Sequence, residues 1–202
     1  EDPTYGGWGG RFGIDTDGTF RNIVNDYSPY ANGGKGGEDA TYALTRWFND
    51  IQNDFGARAD WCVADSYEKA NHRPTAEVTT GLDISAIPGE TVMMNAKATD
   101  PDGDSLDYKW WQYYEADTYA GSLDGKIEIK GASSDKASFV VPEDAKAGDT
   151  IHMVVEVSDD GAHNMKHYQR VILTVKEDTT PRAPVSAINV NADNTTITAG
   201  SN

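Results

Sequence analysis

Cysteine is nearly absent from this 202-residue chain: Cys62 stands alone, so neither an intrachain disulfide nor a cysteine-built zinc site can form. Positive charge is also scarce. Lys and Arg total 17 against 33 Asp and Glu, a formal net charge of −16. A polyanionic duplex or an anionic lipid surface would repel such a chain, which excludes nucleic acid and membrane as expected partners. No apolar run approaches the length of about 18 residues that a membrane helix needs. The first residue is Glu1, and no charged n-region or apolar h-region follows it, so the sequence reads as a piece of a longer protein.

Apolar residues make up 38% and charged residues 25%, enough Val, Ile, Phe and Trp to fill a core. The organisation changes along the chain. Residues 1–76 carry three glycine-rich or turn-rich stretches, at Gly6-Gly7-Trp8-Gly9-Gly10, Asp15-Thr16-Asp17-Gly18 and Asn32-Gly33-Gly34-Lys35-Gly36-Gly37. Such runs disfavour regular structure. One helix is expected there, over Asp39–Arg58, because Leu44, Trp47, Phe48, Ile51 and Phe55 recur at helical spacing. Asp39 and Thr41 are its candidate N-caps. A single helix with three loops has too small a core to stand alone, so its apolar stripe needs a partner.

From residue 76 the period falls to two. Strands are predicted over 83–86, 91–98, 105–114, 126–129, 137–141, 150–158 and 167–176, separated by turn signals such as Pro88-Gly89, Pro101-Asp102-Gly103 and Asp159-Asp160-Gly161. Seven short strands in about 100 residues point to a mainly β fold, an Ig-like β-sandwich. Trp110 shares parity with Leu106 and Tyr108 and is expected in the core, whereas Trp111 and Tyr113 face the other way. Residues 179–184 read as a linker, and Val185–Gly200 alternates like the start of a further bacterial Ig-like module.

Several segments together carry a family resemblance. These are Gly6-Gly7-Trp8-Gly9-Gly10-Arg11, Gln52-Asn53-Asp54-Phe55 with Ala57-Arg58 and Asp60-Trp61, Ala70-Asn71-His72, and Asp100-Pro101-Asp102-Gly103-Asp104 leading to Trp110-Trp111-Gln112-Tyr113. The chain resembles, over residues 5–176, secreted bacterial cellulose-binding proteins that carry a nucleoside-hydrolase-like domain followed by an Ig-like C-terminal domain. The resemblance implies that residues 1–75 are the end of an α/β hydrolase-like domain and residues 76–178 the Ig-like domain. It implies an extracellular protein, a polysaccharide partner and neighbouring modules in the same polypeptide. The aspartate cluster of the hydrolase active site lies near that domain's N-terminus, outside these residues, so no catalytic role carries over.

The residues themselves suggest two sites. Tyr108, Trp110, Trp111, Tyr113, Tyr114 and Tyr119 are half of a 12-residue window. Aromatic rings accept the C–H faces of sugar rings while polar neighbours bind the hydroxyls. Trp111, Tyr113 and Tyr119, with Gln112, Glu115 and Asp117, form the expected β-glucan surface, and Trp8 in its glycine loop is a further candidate ring. The alternative use of Trp111 and Tyr113 is structural: burial against the helix that carries Trp47 and Phe48, in a spacer without ligand. The second site is acidic. Asp100, Asp102 and Asp104 precede one strand, and Asp159 follows another whose turn lies at the same end of a sandwich. A structural calcium ion is the cofactor expected there. Cys62, following Trp61 at the end of an apolar helix, is expected to be buried. Neither it nor the scattered His72, His152, His163 and His167 forms a catalytic set, so the chain is expected to be noncatalytic.

Overall fold

The computed structural model describes residues 2–21, 24–123 and 126–179. The expected linker beyond Thr179 and the truncated module after it lie outside the described residues, as does the turn at Asp124-Gly125.

A seven-stranded β-sandwich occupies the second half of the chain. Its strands are β1 (Thr75–Val78), β2 (Asp83–Ala86), β3 (Thr91–Thr99), β4 (Leu106–Gln112), β5 (Lys136–Val140), β6 (Thr150–Asp159) and β7 (Lys166–Val175). One sheet has the order β1-β3-β5 and the other β2-β7-β6-β4. All pairings are antiparallel except β2 with β7. Inward-facing Met94, Phe139, Ile151, Met153, Val155, Val171 and Leu173 fill the space between the sheets. Alternation along β3 and β5 produces this, since successive side chains leave a strand on opposite faces.

Trp110 is only 3% exposed and joins that core, as its parity requires. Its indole Nε1–H donates to the Ser134 carbonyl at 3.0 Å. The expected strand at 126–129 does not form. Its backbone is held instead by the Gln112 side chain, whose Oε1 accepts from Ile127 N at 2.8 Å, and by one isolated bridge between Lys130 and Ser138. Conversely β1 was not anticipated; Thr75-Ala76-Glu77-Val78 alternates, but Pro74 and the short run mask it.

Residues 2–73 form two small hairpins, at 13–21 and 26–39, and a helix, α1 (Phe48–Val63). The helix starts later and ends later than the apolar spacing suggested. A separate short turn of helix, Tyr42–Thr45, precedes it, and the Asp39 carboxylate accepts from Thr41 N and Oγ instead of capping α1. Of the expected stripe only Trp47 and Ile51 turn inward. Phe48 is 58% and Phe55 69% exposed, and Leu44 is also exposed. The inner surface of α1 is made by Ala57, which is buried, and by Gly56, where a Cβ would lie 2.8 Å from the His163 ring. A small surface there lets the helix approach the turn between β6 and β7, and His163 Nε2 meets Asp60 at 2.7 Å. Cys62, expected in the interior, is exposed.

Among the described residues no helix is long and apolar enough to cross a membrane.

Candidate functional site

The outer face of the four-stranded sheet is where the expected sugar platform was placed, and residues 2–73 cover it. Trp111 and Tyr113 do face away from the main core, but into a second apolar cluster with Trp47 and Val154, flanked by Trp8, Ile51 and Tyr168. Trp47 lies 5.9 Å from the Trp111 ring and 6.2 Å from the Tyr113 ring. The Arg46 guanidinium sits over Tyr113 at 4.5 Å, and that of Arg170 over the same ring at 5.1 Å.

Tyr113 is fully buried. Its hydroxyl donates to Asp26 Oδ2 at 2.8 Å, and burial together with the Asp26 charge holds the phenol far above its usual range. Asp26, also fully buried, accepts from Arg11 Nε at 2.7 Å and from Arg46 at 3.2 Å. A Cβ at Gly6 would lie 2.5 Å from the Tyr113 hydroxyl, and Gly6 has φ +79°, so glycine is required there twice over. Tyr113 is therefore a structural anchor and not a stacking ring.

The polar candidates are equally committed. Gln112 Nε2 donates to Asp117 Oδ2 at 2.7 Å and to Ser122 Oγ at 3.1 Å. Asp117 also accepts from His152 N at 2.6 Å, and burial raises its pKa against the pull of these hydrogen bonds. Glu115 pairs with Arg46 at 3.2 Å; burial raises its pKa although Arg46 opposes the shift. Beside this network His152 is fully buried, accepts from Arg170 at Nδ1, and leaves Nε2 without a partner among the described residues. Burial, then the Arg170 charge, lowers its pKa to about 4. Gln112, Glu115 and Asp117 thus hold the loop after β4; Glu115 Oε2 is left without a partner among the described residues, but it is buried. Trp111 is half-buried between Trp47 and the Arg46 guanidinium, while Trp8, also half-buried and edge-on to Tyr168 at 6.4 Å, lines a shallow pocket with its own glycine loop.

Tyr119 is buried too, its hydroxyl donating to Asp144 at 2.7 Å. The ring nevertheless forms one wall of a groove of ≈ 480 Å³ on the three-stranded sheet. Ile127, Val140 and Pro142 give this groove its apolar surface, while Thr91, Glu128, Lys130 and Ser138 supply hydrogen-bonding groups. Nothing in the strand periodicity revealed it, because it depends on residues 126–130 leaving the sheet.

The acidic site is drawn together in part. Asp100, Asp102 and Asp104 each offer a carboxylate oxygen, all within 4.8 Å of one another. The Asp104 pKa is raised by burial and by the charges of Asp100, Asp160 and Asp102, and Asp100 Oδ2 has no hydrogen-bond partner. Both features fit a divalent cation. Asp102, however, already binds His72 through its backbone N–H at 2.6 Å and its Nδ1 at 3.0 Å. Asp159 does not belong to the cluster. It is buried at the end of β6, with Oδ1 accepting from Gly161 N and Met165 N and Oδ2 from Asn71. The two loops do lie at the same end: Ser105 N donates to Asp160 Oδ1 at 2.8 Å.

Comparison with known proteins bears on the sandwich. Residues 91–175 match the model of the C-terminal domain of the cellulose-binding protein Sde0182. Those residues are similar to that domain. A solved nucleoside hydrolase-related hypothetical protein from Saccharophagus degradans, described as associated with carbohydrate metabolism, is 32% identical with a TM-score of 0.69. The match takes in 86% of this chain but 43% of that one, so the chain spans less than half of its relative. The PKD domain of the KIAA 1837 protein (20% identity, TM-score 0.38, 54% and 94% covered) and the Hoc capsid protein of bacteriophage RB49 (12%, 0.34, 51% and 30%) are too distant to carry an argument. No curated protein matches. Among the described residues those lining the Tyr119 groove fall between 91 and 142, inside the matched segment.

Proposed function

We propose that this chain is a noncatalytic, carbohydrate-binding part of a secreted, multimodular protein, and that its ligand is cellulose or a related β-glucan. The observation that carries the reading is the match of residues 91–175 to the C-terminal domain of a cellulose-binding protein. The groove walled by Tyr119 is the site on the sandwich that this reading favours, since it combines apolar surface with hydroxyl and charged side chains, the mixture a sugar ring requires. A calcium ion at Asp100, Asp102 and Asp104 would cross-link one turn and would not touch sugar.

Retention on insoluble cellulose, with xylan and chitin in parallel and EDTA in a duplicate series, tests the reading. The chain is expected on cellulose in both series, with EDTA lowering its melting temperature but not its retention. Loss of retention on all three polysaccharides would sink the carbohydrate reading. An unchanged melting temperature with EDTA would leave the three aspartates a solvated turn.

A second reading is favoured by one observation: Trp111 and Tyr113 are packed under Trp47, as a ligand-free spacer requires. It predicts no retention at all. In either case residues 1–75 read as the closing segment of a nucleoside-hydrolase-like domain, supported by the similarity to the nucleoside hydrolase-related protein, and the exposed Phe48, Phe55, Val63 and Tyr30 would pack on the rest of that domain. In the longer polypeptide, maleimide labelling of Cys62 should be slower than in this chain. Equal rates would argue against a covering domain.

A further inference from the structure

Beyond the C-terminal end of α1 three rings are stacked in nearly parallel planes. The His72 imidazole lies between Trp61, at 5.4 Å and 16°, and Tyr67, at 3.6 Å and 10°. The Arg58 guanidinium lies over the Trp61 ring at 5.4 Å. Tyr67 is the outermost member: it is 58% exposed, and His72 is its one ring partner among the described residues.

The stack is held rigidly from below. Trp61 Nε1–H donates to the Asn71 carbonyl at 2.7 Å, and His72 is fixed to Asp102 through both its backbone N–H and Nδ1. A clip joining α1 to the 100–104 turn is complete with Trp61 and His72 alone. Tyr67 covers one side of the His72 ring and presents its other face to solvent, beside a groove of ≈ 520 Å³. Exposed Asp65 and Ser66 line that groove and offer acceptors and a hydroxyl next to the ring.

We propose that this stack and its groove form a second carbohydrate subsite, in which the C–H face of a pyranose ring packs on the open face of Tyr67 and its hydroxyls meet Asp65 and Ser66. Pre-organised rings lower the ordering cost of binding. Lys69 pairs with Asp65 at 2.7 Å and neutralises the rim, so a neutral glycan fits, and the chain's net charge of −16 disfavours a uronic acid. The inference rests on the carbohydrate reading above. It adds a contact point on the helical segment, outside the family's domain, and two such sites on one chain would reinforce each other on an extended polysaccharide.

Retention on insoluble cellulose and titration with cellohexaose, for wild type, Tyr67→Ala and Tyr67→Trp, test it. Tyr67→Ala is expected to weaken binding about 10-fold and to lower the melting temperature slightly through loss of its stack on His72, with Tyr67→Trp restoring both. Wild type retained and Tyr67→Ala retained equally would overturn the subsite while leaving the carbohydrate reading standing. Loss of binding in both variants would also overturn it, since the aromatic face would not be the determinant. Wild type that binds no glycan overturns the reading and the subsite together.

Discussion

Replacing Trp110 with alanine is expected to cost about 3–5 kcal/mol of stability. The indole sits between the two sheets, 3% exposed, among Phe139, Val155 and Val157. Both strands that flank it are fixed by long ladders: β4 pairs with β6 from Leu106↔Asp159 to Gln112↔Met153. The walls therefore cannot collapse into the space, and the cavity term adds to the lost transfer free energy. The Ser134 carbonyl would also lose its donor. Against a typical net stability of about 5–15 kcal/mol, a loss of this size leaves the variant near its unfolding threshold. Urea denaturation of wild type and Trp110→Ala, read by circular dichroism, measures it. A difference below about 1 kcal/mol would show that the indole is not the centre of the core.

The sandwich was legible because its signal is local. Alternation in Thr91–Ala98 and Ala137–Val141, punctuated by Pro-Gly and Asp-Gly turns, places Val92, Met94 and Phe139 inside with no knowledge of the partner sheet. The sugar platform failed for a physical reason of the opposite kind. The outward direction of Trp111 and Tyr113 follows from strand parity, but whether an outward face meets water depends on a segment some 60 residues away.

One signal did point to the cover. Strand β6 reads His152-Met153-Val154-Val155, apolar at both parities, and a strand with one wet face alternates. Val154, on the same face as Trp111, is buried accordingly. The helix was misjudged for a related reason. Phe48, Ile51 and Phe55 share one stripe of α1, but the helix turns the line through Asp50 and Ala57 to the sheet, so Ile51 lies at its margin while Phe48 and Phe55 stay exposed. The acidic turn was legible as a cluster, yet Asp159 was drawn into it by proximity of loops. Its carboxylate is instead consumed by the backbone of its own turn.

The join between the two halves rests on Asp26, and Asp26→Ala is expected to break it. This carboxylate is 0% exposed and is shared by Arg11, Arg46 and the Tyr113 hydroxyl. Arg46 in turn holds Glu115, which pins the loop after β4. Removing the aspartate leaves two largely buried guanidinium groups without their shared counter-ion, and breaking a buried pair from one side costs about 3–5 kcal/mol. Tyr113→Phe removes a single hydrogen bond and keeps the ring packed on Trp47, so its cost should be nearer 1 kcal/mol. The defect in Asp26→Ala should be local. Residues 2–73 contribute Trp47 to a small shared cluster, whereas the sandwich keeps its own core of Met94, Phe139, Ile151 and Leu173. Trypsin should then cut at Arg21 and Arg46 far faster than in wild type, while the β-sheet circular dichroism persists. Equal protease resistance in the two proteins would mean that apolar packing of Trp47 on Trp111, and not the buried ion network, holds the helical segment to the sheet.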